Sequence, residues 1–189
     1  RVMYPHGEPN ARIVIDNATQ LAEGGSRPHF FDGVATVVAK LFNIVQPDKA
    51  FFGQKDAQQC ATIRSLITDL DFDVDLRIGP TVREADGLAM SSRNVRLAGA
   101  SRTDALALHA WLNRIKNAAG NQGDVQSLLR AIEAEAAEME GVELEYIDVV
   151  NAKSFEPRND GPFGPDAFAI VAAQVGGVRL IDNCALACS

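Results

Sequence analysis

The chain has 189 residues, 47% apolar and 23% charged, a composition typical of a globular protein with a packed core rather than a disordered chain. No apolar run approaches the ~20 residues of a transmembrane helix, so we expect none. The 18 basic and 25 acidic side chains give a formal net charge of −7, which disfavours nucleic acid and anionic membranes as partners but leaves a small anion open.

The first 80 residues predict alternating strands and helices. We expect the helix that follows Asp56 to bury Cys60, Ile63, Ile67 and Leu70. This order favours a parallel sheet with crossover helices. In chain order the predicted elements are a strand at 12–16, a helix over 34–45 that ends before Pro47, a strand at 49–52, a helix from Asp56 and a strand at 72–78.

The pattern changes near Pro80. The segment around Asp86-Gly87 is typical of a chain that turns back on itself. Two helices and three strands follow, which predicts a small α+β domain and a boundary near residue 80, hence domains at 1–80 and 81–189. The helices are expected from Ser101 and from Val125, with Leu108, Trp111, Leu112 and Ile115 on one buried face, and the strands at 142–150, 168–175 and 178–181.

The segment from Gly53 to Gln59 carries the first candidate chemistry. It lies between a predicted parallel strand and the next helix, where open α/β sheets bind ligands. Gly53 would allow close backbone approach, and Lys55 would place a positive charge near phosphate. Asp56 and Gln59, three residues apart, are candidates to hold a metal or a substrate hydroxyl or carboxylate. A helix cap with a purely structural Asp56 is the open alternative.

The segment from Asp86 to Asn94 is the second candidate. Its Ser91-Ser92-Arg93 run suits a phosphate clamp, because arginine can bind phosphate through two parallel hydrogen bonds. An ordinary polar turn has the same composition, so this segment alone leaves both readings open.

Together the two segments resemble the signatures of the pantothenate synthetase (pantoate–β-alanine ligase) family. The resemblance rests on Gly53-Gln54-Lys55-Asp56-x-x-Gln59 and on Asp86-Gly87-Leu88-Ala89-Met90-Ser91-Ser92-Arg93-Asn94. It continues through Arg27-Pro28, through 41–48 and through Arg179-Leu180-Ile181-Asp182-Asn183. These matches keep a consistent order along nearly the whole chain.

The resemblance implies an α/β fold: the C-terminal part of a Rossmann-like nucleotidyltransferase domain, then a small α+β lid domain. It implies ATP as a substrate, Mg²⁺ as a cofactor, pantoate and β-alanine as the other substrates, and a cytoplasmic homodimer. The implied catalytic residues are Lys55, Ser91, Ser92 and Arg93, and these four bind nucleotide together with Gly53, Gln54, Asp56, Val82 and Met90. Gln59 would hold pantoate and Asp56 the metal.

The sequence departs from the family pattern at two places, and both concern histidines. The family's N-terminal part carries a His-x-Gly-His motif that binds the triphosphate, whereas the three histidines here are His6, His29 and His109. We therefore expect the chain to be a fragment that is inactive alone. The family's other histidine follows Arg-Pro at the position of Phe30, one residue after His29.

Two alternatives remain at this point. One is a non-catalytic module of the same origin that dimerises or binds nucleotide. The other is a related adenylate-forming ligase that acts on a different hydroxy acid. The three cysteines follow no zinc-site spacing, which favours reduced thiols in the cytosol.

Overall fold

A computed structural model describes residues 3–5, 7, 9–15, 22–26, 29–121, 123–158, 163–164 and 166–186. The described chain forms two compact units. The first contains the residues up to Gly53 together with Ala57–Gly79 and Lys153–Glu156. The second contains Gln54–Asp56, Pro80–Ala152 and the described residues from Pro157 onward. The domain limits 1–80 and 81–189 stay a prediction.

The first unit is built on a short parallel sheet. Its strands β1 and β2 pair in register from Lys49 opposite Asp75 to Gly53 opposite Gly79. Parallel neighbours need a crossover connection, which α3 supplies, as the alternating pattern predicts. The elements in chain order are α1 (Glu23–Ser26), α2 (Phe30–Val45), β1 (Lys49–Gly53), a 3₁₀ turn (Gln54–Asp56, assigned to the second unit), α3 (Ala57–Asp69) and β2 (Asp75–Gly79).

The apolar faces of α2 and α3 form the core of this unit. The helix predicted over 34–45 is confirmed and begins earlier, at Phe30; Val38 and Phe42 are buried one turn apart, whereas Leu41 and Val45 are exposed. The Phe42 ring contacts Phe72 edge to face, with 5.4 Å between ring centroids. Fully or nearly buried side chains of the core are Ala35, Val38, Ala39, Phe42, Ile63 and Leu66.

The strand predicted at 12–16 is wrong for its described residues. Residues 12–15 pair with no strand in the described part of the chain. Instead, the Ile13 backbone N–H donates to the Thr36 Oγ1 on α2, 2.9 Å away. Asp16 lies outside the described residues.

The predicted boundaries of α3 and β2 also need correction. Asp71 adopts a left-handed conformation, φ 52°, and the Phe72 N–H donates to the Ile67 carbonyl 3.0 Å away, which closes the helix. Leu70 therefore lies past the last turn and is half exposed instead of buried. β2 begins at Asp75 rather than at residue 72 because Phe72 belongs to this helix end.

The second unit packs two helices on a three-stranded antiparallel sheet of order β3-β4-β5. The predicted succession of two helices and three strands is confirmed. A second 3₁₀ turn (Ser92–Arg96) precedes the helices. The elements are α4 (Ala100–Gly120), α5 (Val125–Ala137), β3 (Val142–Asn151), β4 (Ala167–Val175) and β5 (Val178–Ala185).

The predicted face of α4 forms the centre of this core. Leu108, Trp111, Leu112 and Ile115 are all buried, and the Trp111 indole N–H donates to Glu135 on α5, 2.9 Å away. This bond satisfies the polar atom of the largest buried side chain. Across the described ranges, no helix combines the length and the apolar character needed to cross a membrane.

Candidate functional site

Residues 82–90 form a narrow hairpin, as the Asp86-Gly87 pair predicts. The Met90 N–H donates to the Val82 carbonyl at 2.9 Å, and the Glu84 N–H donates to the Leu88 carbonyl at 2.8 Å. Val82 and Met90, both predicted to bind nucleotide, therefore lie opposite each other on the two strands. Their side chains are more than half exposed, which leaves an apolar surface available for contact.

The turn end of the hairpin is held by Arg102 of α4. Its guanidinium donates to Glu84 at 2.7 Å and to Asp86 at 2.5 Å. These hydrogen bonds hold the pKa of both carboxyl groups below their usual range. The Asn94 amide donates to Glu84 and to the Ala89 carbonyl. These bonds connect the 3₁₀ turn that follows the hairpin to the hairpin itself.

Three of the predicted site residues line one small cavity in the second unit. These residues are Lys55, Ser91 and Arg93. The enclosed volume is about 10 Å³, room for about one water molecule. The other lining residues are Leu88, Ala89, Asn94, Leu108, Arg179, Leu180, Ile181 and Asp182.

Local bonds orient the Ser91–Arg93 segment. The Ser91 Oγ accepts a hydrogen bond from the Arg93 N–H at 3.2 Å, which caps the 3₁₀ turn. The Arg93 guanidinium donates to the Arg179 carbonyl on β5, also at 3.2 Å. Ser92 lies between them with an exposed side chain. The arrangement concentrates hydrogen-bond donors and two cationic groups, which suits an anionic oxygen.

Lys55 and Asp56 occupy the first 3₁₀ turn. The Lys55 Nζ lies 3.7 Å from the Asp56 Oδ1; the lysine side chain is 24% exposed and the aspartate 53% exposed. The lysine is therefore largely withdrawn from solvent at the cavity wall, whereas the carboxylate faces outward.

Asp56 fits a magnesium ion only as one ligand among several. No group of three or more His, Cys, Asp or Glu side chains that could hold a metal occurs in the described part of the chain. Magnesium is commonly held by one or two carboxylates plus substrate phosphates. A single exposed carboxylate beside a lysine that is predicted to bind phosphate is compatible with that mode.

A buried ion pair connects the hairpin to β5. Arg83 donates to both carboxylate oxygens of Asp182, at 2.6 and 3.0 Å, and also to the Gly87 carbonyl at 3.0 Å. The Asp182 side chain is 3% exposed and that of Arg83 is 23% exposed. Removing one partner of such a pair costs about 3–5 kcal/mol, because the other charge stays buried.

The next residue of β5 contacts the lysine turn. The Asn183 amide nitrogen donates to the backbone carbonyls of Gln54, at 3.0 Å, and Lys55, at 2.9 Å. The Gln54 amide donates in turn to the Asn183 Oδ1 at 3.4 Å. Asp182 and Asn183 belong to a motif noted in the sequence without a role. Asn183 lies 128 residues from Lys55 in the chain, and no sequence pattern extends over that distance, so the sequence could not predict this contact.

Gly53 and Gln59 belong to the first unit. Gly53 ends β1, at the carboxyl edge where the sequence places a ligand site, and a Cβ built there would meet nothing within 4 Å. Gln59 lies in the first turn of α3 with a partly buried side chain. Their predicted roles stay predictions.

His29 precedes α2 in a left-handed conformation, φ 64°. Its Nδ1 lies 3.0 Å from the Oδ2 of the buried Asp32, while the imidazole is 73% exposed. Phe30, at the position where the family places its histidine, begins the helix. The neighbouring Arg27 and Pro28 lie outside the described residues.

The sequence is similar to a family of known proteins along nearly its whole length. The family model described as pantoate-beta-alanine ligase matches residues 1–185. A pantothenate synthetase from Gluconobacter oxydans is 48% identical over 183 residues, which cover 96% of this chain and 66% of that protein. One from Corynebacterium glutamicum is 47% identical, with 96% and 64% covered. The chain thus spans about two thirds of the length of these relatives.

Solved structures show the same fold. A pantothenate synthetase from Thermus thermophilus superposes with a TM-score of 0.89 at 42% identity, covering 98% of this chain and 67% of that one. A pantoate-beta-alanine ligase from Francisella tularensis, complexed with beta-gamma ATP and beta-alanine, gives 0.70 at 30% identity, with 97% and 61% covered. The predicted α/β fold class is confirmed.

Proposed function

Because this chain belongs to the pantoate-beta-alanine ligase family, we propose that it takes part in the ATP-dependent ligation of pantoate and β-alanine to pantothenate. The observation that carries the proposal is the convergence of Lys55, Ser91 and Arg93 on one cavity wall. These residues come from two segments 36 positions or more apart in the chain, and they supply the donors and positive charge that phosphate oxygens need.

The reaction has two steps. In the first, a carboxylate oxygen of pantoate attacks the α-phosphorus of ATP; the bond to the β-phosphate oxygen breaks, and pyrophosphate leaves. In the second, the β-alanine amine attacks the acyl carbon of pantoyl adenylate, AMP leaves with the electron pair, and the amine loses a proton. Negative charge develops on phosphate oxygens during adenylation, so fixed cations accelerate this step.

The proposed roles are those that the resemblance to the family implies. Lys55 and Arg93 stabilise developing charge on the phosphates, and Ser91 and Ser92 donate hydrogen bonds to phosphate oxygens. We assign nucleotide binding to Val82 and Met90, and separately to Gly53 and Gln54. Gln59 binds pantoate. Asp56 holds Mg²⁺, which supplies charge neutralisation on the phosphates when bound.

We further propose that these 189 residues do not turn over alone. The chain has no His-x-Gly-His motif, which in the family binds the triphosphate. Each tenfold of lost rate corresponds to ~1.4 kcal/mol of lost transition-state stabilisation, so missing triphosphate contacts reduce the rate by orders of magnitude. We place the working enzyme in the cytoplasm as a homodimer.

Pantoate-dependent exchange of labelled pyrophosphate into ATP tests the proposal. We expect no exchange by the 189 residues alone. We expect exchange by a fusion that carries the family's His-x-Gly-His region ahead of residue 1. In that fusion, Lys55→Ala or Arg93→Ala should lower the rate about 10²–10³-fold, the range measured when one charge-stabilising donor is removed.

Lys116→Ala is the matched control, because this lysine is exposed on α4 outside the cavity. Full exchange by Lys55→Ala would contradict the assigned site. Robust exchange by the 189 residues alone would contradict the need for the triphosphate motif. Exchange that depends on another hydroxy acid rather than on pantoate would contradict the substrate assignment.

A further inference from the structure

We infer that Asn183 is a positioning residue for Lys55: its amide fixes the carbonyls of the lysine turn and thereby holds Lys55 in the cavity lining that it shares with Ser91 and Arg93. The inference rests on the proposed function of Lys55 in phosphate binding. The contact joins the end of β5 to a turn 128 residues earlier in the chain. No role for Asn183 follows from the reaction chemistry itself.

The chemistry of the contact is specific to asparagine. A primary amide carries two N–H donors on one nitrogen, and here they serve two successive carbonyls, at 3.0 and 2.9 Å. Its oxygen accepts from the Gln54 amide at 3.4 Å. Aspartate has the same shape but cannot donate, so it would place a negative charge against two carbonyl oxygens. Serine has a single donor.

The surroundings make the Asn183 side chain rigid. The residue is 3% exposed, and its backbone N–H donates to the Asp182 carboxylate at 2.8 Å. That carboxylate is in turn held in the buried pair with Arg83, which also binds the hairpin at the Gly87 carbonyl. A rigid donor directed at a backbone holds its partner better than a mobile one, because less side-chain entropy is lost.

The lysine turn needs such support. Its three residues Gln54–Asp56 form a single 3₁₀ turn, and turns of this length have weak internal hydrogen bonds. The Lys55 side chain is long and loses considerable rotamer freedom when ordered. When the backbone of Lys55 is already fixed, less conformational entropy is lost as an anion binds. The Asn183 contact therefore preorganises the site.

The same arrangement joins the two segments that line the cavity. Arg83 fastens the hairpin that leads to Ser91 and Arg93 onto Asp182, and Asn183 fastens the lysine turn onto the neighbouring position of β5. β5 thus acts as the common support for both phosphate-binding segments. Substituting Asn183 should move Lys55 while leaving the hairpin in place.

A double-mutant cycle on the 189-residue chain tests the inference. Inorganic pyrophosphate binding is measured by calorimetry for the wild type, Asn183→Ala, Lys55→Ala and the double variant. We expect Asn183→Ala to weaken binding about tenfold, because Lys55 is no longer held in place, and to have no further effect once Lys55 is absent. Asn117→Ala, on the exposed surface of α4, is the matched control and should bind like the wild type.

Amide hydrogen exchange of the peptide that contains residues 54–57 gives the second measurement. We expect faster exchange there in Asn183→Ala and in Asn183→Asp, with hairpin amides at 83–90 unchanged. Unchanged exchange at 54–57, or effects of the two substitutions on pyrophosphate binding that simply add, would overturn the inference.

The two proposals fail in different ways. If Lys55→Ala leaves pyrophosphate binding unchanged, the assignment of Lys55 fails. If the wild type binds none, the triphosphate contacts that it lacks account for this, and Lys55→Ala in the fusion decides the assignment of Lys55. The hydrogen-exchange result then still decides whether Asn183 holds the turn. If Lys55→Ala weakens binding and Asn183→Ala does not, the assignment of Lys55 stands and the role of Asn183 is wrong.

Discussion

Two ion pairs with the same N···O distance contribute differently to stability because their side chains differ in solvent exposure. The Arg83–Asp182 and Arg77–Asp75 pairs both measure 2.6 Å. In the first, Asp182 is 3% exposed, whereas both partners of the second are around half exposed. Surface pairs contribute about 0–1 kcal/mol, whereas breaking a buried pair costs several. The buried pair is therefore the one that the candidate site depends on.

A partly buried thiol near that pair predicts a pH dependence of stability. Burial, and then the Asp182 carboxylate, raises the pKa of Cys184 from 9.0 to about 11. Above pH 9 the thiol of the unfolded chain loses a proton that the native thiol retains, so the native state loses stability as pH rises from 9 to 11. Two pKa units correspond to about 2–3 kcal/mol.

Urea unfolding at pH 8, 9, 10 and 11 measures this effect. Cys184→Ala removes the titrating group, so its unfolding free energy should fall less over the same interval. Exposed lysines and tyrosines titrate in both proteins and cancel in the comparison. A parallel fall in the two proteins would show that Cys184 is not responsible.

The hairpin at 82–90 shows how one backbone conformation supports several interactions. Gly87 has a φ of 96°, a conformation that residues with a Cβ rarely adopt. A Cβ built at this position would lie 2.7 Å from the His109 ring on α4. Burial, and then the Arg83 charge, lowers the pKa of His109 below its usual value, so a neutral ring packs against the turn. The close approach lets the Gly87 carbonyl reach Arg83.

Gly87→Ala should therefore destabilise the chain and weaken pyrophosphate binding. We expect a loss of about 1–3 kcal/mol from backbone strain, to which the contact with His109 adds. Adding His109→Ala relieves the contact and should restore part of the stability but not the part due to φ. Thermal unfolding and calorimetry measure both quantities.

Gly33→Ala is the control for this substitution. It lies within α2, and a Cβ there meets nothing within 4 Å, so we expect a gain of about 0.5–1 kcal/mol. Equal thermal stability of Gly87→Ala and the wild type would contradict the strain argument.

The two compact units differ in the extent of their cores. Among the described residues, the second unit buries a continuous set of side chains from both helices and all three strands of its sheet. The first buries a smaller set on α2 and α3, beneath only two strands. Phe51 on β1 stays 76% exposed, so one face of that sheet contributes little apolar burial. Burial of apolar surface is the main stabilising contribution in each unit.

We predict that the first unit opens at lower denaturant than the second. Native-state hydrogen exchange in increasing urea should show amides of α2, α3 and β1 losing protection before those of β3, β4 and β5. Simultaneous loss of protection in all these elements would instead show a single cooperative unit. The result also bears on the proposed boundary near residue 80.

Hydrophobic periodicity and turn residues were enough to predict most elements. The buried face of α4, the parallel pairing of β1 with β2 and the turn at Asp86-Gly87 all follow from local patterns, because helix period, strand burial and turn conformation are properties of neighbouring residues. The strand at 12–16 failed because a short apolar run forms a strand only where a partner strand accepts it. The motifs Gly53–Gln59 and Asp86–Asn94 indicated the family, and the comparisons confirm it.

The contacts between these motifs depend on packing. Lys55, Ser91 and Arg93 meet because β5 passes beside both segments, and this depends on the register of β5 against β4. Arg83–Asp182 and Asn183–Lys55 join residues about 100 and 128 positions apart, and no periodicity extends over such distances. Side-chain hydrogen bonds require donor and acceptor atoms within about 3 Å of each other. Only the folded backbone brings residues so far apart in the chain to that distance. Sequence patterns identify the residues of the candidate site; the tertiary fold determines which of them support one another.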